Sequence, residues 1–336
     1  MKRILVTGGT GYIGSHTVVQ LIEHGYEPVI IDNFSNSDSA ALDRLTTLIK
    51  KPLPFYEGDI GDKSFLESVL QKESIDGVIH FAAFKAVGVS MEKPLDYYRN
   101  NIDGMLNLLE CMRTANVTSI VFSSSCTVYG EPDHVPVDET APMKPAESTY
   151  GHTKQVGEDV LRFTAQAPDK PLRAISLRYF NPIGAHPSGK IGELVRDTPG
   201  NLLPYLMQAA AGERDHLTVF GDDYETPDGT CIRDYIHVVD LANAHIAALE
   251  HLSKQQAPFN DVFNIGTGTG SSVLELIRTF EEVTGQKVPY VIGERRAGDI
   301  VSSYAAANKA NTVLGWKAER DLKQSLKDAW NWQQSL

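Results

Sequence analysis

One glycine-rich turn limits what this chain can fold into more than any other stretch. The short β-branched run "RILVT" (3–7) leads into "GGTGYIG", which opens the amphipathic stretch "GSHTVVQLIEHG". Gly8, Gly11 and Gly14 stand three apart, and Gly9-Thr10-Gly11-Tyr12-Ile13-Gly14 also follows G-x-G-x-x-G. Glycines at these positions allow a tight strand-to-helix turn and a close backbone approach to a pyrophosphate. The helix that follows presents free N–H groups and a partial positive charge to the same anion. Asp32, at the end of the next apolar run, lies eighteen positions past Gly14. A carboxylate there accepts hydrogen bonds from ribose hydroxyls and repels a 2′-phosphate, so NAD is the expected cofactor rather than NADP.

The pattern beyond the turn repeats it. Apolar runs at "PVIID" (28–32), "PFYEGD" (54–59), "GVIHFAA" (77–83), "SIVFSSS" (119–125) and "RAISLRYFN" (173–181) alternate with helical stretches such as "DKSFLESVLQKE". Near-continuous apolar strands separated by helices predict a parallel sheet covered on both faces: an α/β, doubly wound, Rossmann-like fold. In such folds ligands sit at the carboxyl ends of the strands. Asp59 after the third strand, and Phe81, Ala82, Ala83 and Lys85 after the fourth, fall at such ends. After Asn181 the rhythm changes to the Gly/Pro-rich "NPIGAHPSGKIGE". We therefore expect a cofactor-binding domain over 1–181 and a smaller α/β substrate-binding lobe over 182–336. Later segments such as "DLANAHIAALEHL" and "FNIG" are candidates to return to the first.

Bulk properties narrow the partners. The chain has 336 residues, 42% of them hydrophobic, and a net charge of −12. General nucleic-acid and anionic-membrane binders are more often basic, so neither partner is expected, and an anionic ligand would need a local basic cluster. Cys111, Cys126 and Cys231 are scattered and odd in number, which fits a reducing compartment and neither a disulfide framework nor a zinc site. "MKRILVTGG" enters a strand almost at once and no apolar run spans a bilayer, so a cytoplasmic protein is expected. The ten histidines lack ligand spacing, and no metal is expected.

Together these motifs carry a resemblance. The glycine turn, "SSS" closing the fifth strand and Tyr150-x-x-x-Lys154 on the next helix resemble the extended short-chain dehydrogenase/reductases. "DNFSNS", "IHFAAFKAVGVS", "FSSSCTVYG", "RYFNPIGAHPSG", "FGDDYETPDGTCIRDYIHVVDLA" and "RRAGD" are similar, within that group, to the UDP-glucose (UDP-galactose) 4-epimerases over essentially the whole chain. The resemblance implies a cytoplasmic homodimer with one NAD per subunit and UDP-hexose as substrate. It also implies that Tyr12, Ile13, Asn33, Ile60, Asn100, Ser123, Tyr179 and Phe180 contribute to the cofactor site, with Lys85 shared between cofactor and substrate.

Tyr150 and Lys154 lie four apart and so share a helix face. Free tyrosine has a pKa of about 10, too high for a base at neutral pH. A shift into the neutral range needs roughly 4 kcal/mol, at about 1.4 kcal/mol per unit. The expectation is that Lys154 and the positive nicotinamide ring together lower the Tyr150 pKa. Tyr150 then removes the sugar 4-hydroxyl proton as hydride leaves C4, with Ser125 bonded to the same oxygen. By resemblance Lys154 also binds the nicotinamide ribose. The 4-keto sugar must turn within the site while the nucleotide stays anchored, which places binding energy on the nucleoside diphosphate.

By resemblance Arg233 and Arg296 face that pyrophosphate and Asp299 faces the ribose, while Asn181, Asn201, Leu202 and Phe220 complete the substrate site. An arginine fork suits phosphate geometry. By resemblance Ser303 occupies the position that gates the sugar pocket in the family, where a large residue would exclude N-acetylated sugars, so UDP-GlcNAc and UDP-GalNAc are expected as further substrates. Arg295 has no assigned role, and His152 is expected on the helix surface. Two rivals are weighed: a nucleotide-sugar 4,6-dehydratase, which would carry an acid where Ser124-Ser125-Cys126-Thr127 has none, and a non-catalytic NAD-binding regulator, which would tend to lose the Ser125/Tyr150/Lys154 set.

Overall fold

The apolar runs form strands because alternate residues bury on opposite faces of one sheet. In a computed structural model, which describes residues 2–195, 200–296 and 298–336, the strands are β1 (Arg3–Thr7), β2 (Glu27–Asp32), β3 (Phe55–Glu57), β4 (Gly77–His80), β5 (Ser119–Ser123) and β6 (Arg173–Tyr179). Then follow β7 (Asn181–Ile183), β8 (Leu217–Phe220), β9 (Ile232–Arg233), β10 (Tyr235–His237), β11 (Phe259–Ile265), β12 (Ser271–Ser272), β13 (Tyr290–Gly293) and β14 (Ser302–Ser303). The helices are α1 (Tyr12–Glu23), α2 (Ser39–Ile49), α3 (Lys63–Lys72), α4 (Val87–Glu92), α5 (Pro94–Tyr98), α6 (Gly104–Thr114), α7 (Thr149–Ala165), α8 (Leu202–Ala210), α9 (Val238–Lys254), α10 (Val273–Thr284) and α11 (Leu322–Gln333).

Among the described residues, a seven-stranded sheet runs in the order β11-β6-β5-β4-β1-β2-β3, parallel at every pairing. Its two faces carry separate cores. Ile4, Val6, Ile30, Ile79, Val121, Ile175 and Leu177 join one, beneath α1 and α9. Leu5, Val29, Ile31, Val78, Ile120, Phe122 and Ala174 join the other, with α3 and α6. This two-sided burial is why the strands are near-continuously apolar. A third core gathers residues of α8, α10, α11 and β8, including Leu206, Val219, Phe280 and Leu326. The short pairs β7–β10 and β9–β14 join distant parts of the chain beside the end of the main sheet.

Four of the expected strands end earlier than their sequence runs, β3 stopping at Glu57. Thr7, the last residue of β1, is the register partner of His80, so β4 loses that neighbour there. Phe81–Lys85 then continue as a loop, and Ser124 and Ser125 likewise lie past β5. Asn181 leaves β6 to pair with Tyr235 in β7–β10. Conversely Phe259–Ile265 pairs with β6 along its whole length, so late sequence closes the sheet formed by the early chain.

Phe263 of β11 is fully buried in the core shared with α9. Phe263→Ala should therefore cost about 3–5 kcal/mol. Urea unfolding will show the midpoint falling with an unchanged slope; an unshifted midpoint would mean that β11 does not anchor this face.

Candidate active site

A single large cleft opens where the parallel strands end. Its volume is about 1630 Å³, against about 180 Å³ for the next cavity described. Every residue singled out above for cofactor, substrate or catalysis lines it, from Gly8 on β1's turn to Ser303 on β14. Arg295 and His152 are not among its lining residues. The register of the sheet does this: residues after Thr7, Asp32, His80, Ser123 and Tyr179 emerge along one edge.

At one end lies the glycine turn. Gly8 has φ +71°, and a Cβ there would meet the Ala82 backbone nitrogen at 2.8 Å. A Cβ on Gly14 would meet the Gly8 carbonyl oxygen at 2.2 Å. The turn is thus bare backbone pressed on backbone. Helix α1 starts at Gly11 with no side-chain cap, leaving its first N–H groups to the cleft. Asp32 is held in place by its own chain: Thr10 N donates to Oδ2 at 3.0 Å, and Phe34 N and Ser37 Oγ donate to Oδ1 at 2.9 and 3.0 Å. Asn33 Nδ2 donates to Asp59 Oδ2 at 2.7 Å, tying the ends of β2 and β3. Asn100 Nδ2 donates to Asn101 Oδ1 at 2.9 Å. Asn101 in turn accepts from Phe84 N at 2.8 Å and donates to Phe84 O at 3.0 Å and Thr153 Oγ1 at 3.0 Å. This buried side chain fixes the Phe81–Lys85 loop against α7. Sequence reasoning passed it over, because nothing local marks an asparagine that bonds so far along the chain.

The middle of the cleft holds Ser125, Tyr150 and Lys154. Helix α7 is capped by Ser148, whose hydroxyl accepts from Gly151 N at 3.1 Å, so Tyr150 sits in the first turn and Lys154 one turn on. The Ser125 hydroxyl is near enough to the Tyr150 phenol to favour its ionised form. Lys154 is 3% exposed. Its Nζ donates to Ser123 O at 2.6 Å and lies 4.9 Å from the Phe122 ring centre and 5.7 Å from that of Tyr150. The Tyr179 hydroxyl and Ser123 Oγ are bonded behind it.

In the protein alone, burial dominates the electrostatics of this pair. Burial pushes the Tyr150 phenol up to about 12, with Ser125 pulling the other way. Burial also brings the Lys154 ammonium down to about 7, against the pull of Glu158. Desolvation therefore outweighs the neighbouring cation within the protein alone: the lysine spends its hydrogen bond on a carbonyl, not on the phenol. His80, bonded to Thr7 Oγ1 at 2.7 Å, is brought down to about 3 by burial and then by Lys154, and stays neutral.

The far end is charged. Asp299 Oδ1 takes Arg296 Nη2 at 2.7 Å and Arg233 Nη2 at 3.5 Å. Arg233 Nη1 also donates to the carbonyls of Ile232 and Ile300 at 2.9 and 2.8 Å. The two arginines are thus aimed by one carboxylate and two carbonyls, and Phe220 lies 5.8 Å beneath the Arg296 guanidinium. Arg295 turns the other way: Nε donates to Asp223 Oδ1 at 2.7 Å and the guanidinium covers the Tyr224 ring at 4.1 Å, a structural clamp. Lys85 Nζ pairs with Glu193 Oε1 at 2.9 Å, and Asn201 Nδ2 reaches the same oxygen at 3.5 Å. Glu193 is a second missed residue, lying in a Gly/Pro-rich stretch that shows no periodicity. Ser303, 7% exposed, lies in β14 beside Arg233. His152 Nδ1 and the Tyr98 hydroxyl lie 2.9 Å apart on the surface.

Among the described residues no group of three or more His, Cys, Asp or Glu is placed to hold a metal, and no helix is long and apolar enough to cross a membrane. Comparison with known proteins agrees with this geometry. A UDP-glucose 4-epimerase of Neisseria meningitidis serogroup B is 50% identical over 332 residues, covering 99% of this chain and 97% of the relative. The solved UDP-glucose-4-epimerase of Stenotrophomonas maltophila, with bound NAD and formylated UDP-arabinopyranose, superposes with a TM-score of 0.96 at 48% identity, covering 100% of this chain and 98% of its own. That of Bifidobacterium longum, in complex with NAD+ and UDP, gives 0.94 at 45% identity over 99% and 98% of the two chains. The model of the NAD dependent epimerase/dehydratase family matches residues 4–266, from β1 to the end of β11, and with a cleft that places its glycine turn and Tyr150/Lys154 pair at one sheet edge, the chain belongs to that family.

Proposed function

We propose that this chain interconverts UDP-galactose and UDP-glucose by removing hydrogen at C4 of the hexose and returning it to the opposite face. The observation that carries this reading is the position of Ser125, Tyr150 and Lys154 midway between a dinucleotide cradle and a pair of aimed arginines in one cleft. The cradle fits NAD: bare glycine backbone at Gly8 and Gly14 admits a pyrophosphate, the uncapped start of α1 faces it, and Asp32 is set for a ribose. When bound, NAD supplies a hydride acceptor and a positive charge within the cleft. Tyr12, Ile13, Asn33, Asp59, Ile60, Phe81, Ala82, Ala83, Lys85, Asn100, Ser123, Tyr179 and Phe180 would hold it.

In this reading Tyr150 takes the 4-hydroxyl proton and later gives it back, and Ser125 orients the oxygen by bonding both it and the phenol. Lys154 fixes the electrostatic balance of the phenol from beneath. Arg233 and Arg296 grip the diphosphate and Asp299 faces the ribose. Asn181, Asn201, Leu202 and Phe220 line the remaining wall. With the anchoring concentrated there, the hexose is free to turn. We read the chain as a cofactor lobe built mainly from 1–181 and a substrate lobe built mainly from 182–336. By the same family reading it works as a cytoplasmic homodimer; the exposed Leu95 and Phe163 on α5 and α7 offer apolar surface for a second copy. A 4,6-dehydratase would need an acid beside Ser125, and the cleft has Cys126 and Thr127 there instead.

Tyr150→Phe should retain bound NAD while turnover of UDP-galactose without added cofactor falls about 10²–10⁴-fold. Turnover within a few-fold of the parent would remove Tyr150 from this role. A keto-deoxy sugar product would mean dehydration instead.

Ultraviolet difference titration against Tyr150→Phe checks the electrostatics. Stripped of NAD, the phenol should ionise above the ordinary tyrosine range, as burial dictates. Loaded with NAD, it should ionise at least about two units lower, because a buried positive charge favours phenolate. Equal midpoints in both forms would show that the cofactor does not activate it.

Ser303 leaves room beside the sugar end of the cleft, so UDP-GlcNAc and UDP-GalNAc should also be interconverted. Ser303→Tyr should abolish that conversion while sparing UDP-galactose. A parent enzyme inert toward UDP-GlcNAc would refute the pocket argument.

A further inference from the structure

Lys154 is nearly fully buried and, among the described residues, its Nζ hydrogen-bonds a carbonyl, so an ammonium ion there needs further support. The titratable groups facing it are His80 from β4, and Tyr150 and Glu158 from its own helix; Arg178 and Tyr179 of β6 stand behind, bonded to Glu158 and Ser123. His80 and Tyr150 are neutral in the protein alone, which leaves Glu158 as the only anion among them. Glu158 follows Lys154 by one turn on the same face of α7.

The carboxylate of Glu158, 6% exposed, is fixed from three sides. Arg178, 5% exposed, donates to it through Nε at 2.9 Å and through Nη2. The hydroxyl of Ser124, next to Ser125, donates to the same group. Arg178 Nη1 in turn donates to the Tyr129 hydroxyl at 2.9 Å, and that hydroxyl to Asn264 Oδ1 at 2.7 Å. Asn264 closes the chain on Val137 O at 2.9 Å. The network therefore ties the loop carrying Ser125, the helix carrying Tyr150 and Lys154, and the ends of β6 and β11. None of it touches the space where substrate would lie: neither Glu158 nor Arg178 lines the cleft.

We infer that Glu158 is a positioning residue for the reaction: clamped by Arg178 and Ser124, it supplies the counter-charge that keeps Lys154 an ammonium ion beneath Tyr150. This rests on the proposed role of Lys154. Burial alone works against that charge and Glu158 works for it.

The test is a pH titration of the NAD-bound enzyme with lysine labelled at ¹³Cε, the Lys154 resonance being assigned from Lys154→Met. In Glu158→Gln the Lys154 midpoint should fall by about one unit or more, and the basic limb of kcat should move down with it, an about tenfold loss for each unit above the new midpoint, while KM changes little. Glu158→Asp, which keeps the charge, should restore both. Where Glu158→Gln leaves a lone buried Arg178 and does not fold, Glu158→Gln with Arg178→Met removes both charges, and the Lys154 midpoint should still fall, by less, because a repelling cation leaves with the anion. A Lys154 midpoint unchanged in a folded variant lacking the carboxylate overturns the inference. Tyr150→Phe run alongside separates the two readings: if it stays active, the proposed chemistry fails, whereas the lysine midpoint still reports on Glu158 alone.

Discussion

All seven strands of the main sheet run the same way and stop along one line, and the site follows from that constraint. Thr7 faces Ile31 and His80, His80 faces Phe122, Ser123 faces Leu177, and Tyr179 faces Ile265. A parallel ladder whose neighbours end together leaves each chain to exit on the same side. Residues from positions 8, 32, 81, 125 and 179 thereby meet around one space without any of them being close in sequence. The two-sided burial that makes the strands readable also makes this edge rigid, since both faces are already committed to helices.

Charge inside the cleft is balanced by internal partners rather than left bare. Asp32 accepts from Thr10, Phe34 and Ser37, Lys85 rests on Glu193, and Arg233 and Arg296 share Asp299. The chain has net charge −12, and the cations Lys85, Arg233 and Arg296 in the cleft are each set by a neighbouring carboxylate. The same principle governs the proposed catalytic pair, where Lys154 is too deep for water to support its charge.

Much of this was legible in sequence because it is local. The glycine turn, Asp32 and the Tyr150/Lys154 spacing each depend on residues within one strand–turn–helix unit, and all of them line the cleft. What escaped is long-range. Glu193 meets Lys85, Asn101 meets Phe84 and Thr153, and Glu158 meets Arg178 and Ser124 across elements whose packing no periodicity announces. Strand ends were overrun by a few residues because a strand stops where its partners stop, which is a property of the register. The opposing effect of burial on the Tyr150 phenol was not legible for a related reason: the spacing names the cation but not the desolvation around it.

The shared carboxylate of Asp299 has a consequence for discrimination. An incoming anion does not meet two waiting arginines; it competes with a tethered rival that is always at hand. A free phosphate offers little that Asp299 does not, so its displacement gains almost nothing. A diphosphate that also carries a base and a sugar brings further contacts which the resident acid cannot match. On the proposed reading, selectivity against small anions follows from the resting arrangement of these three side chains.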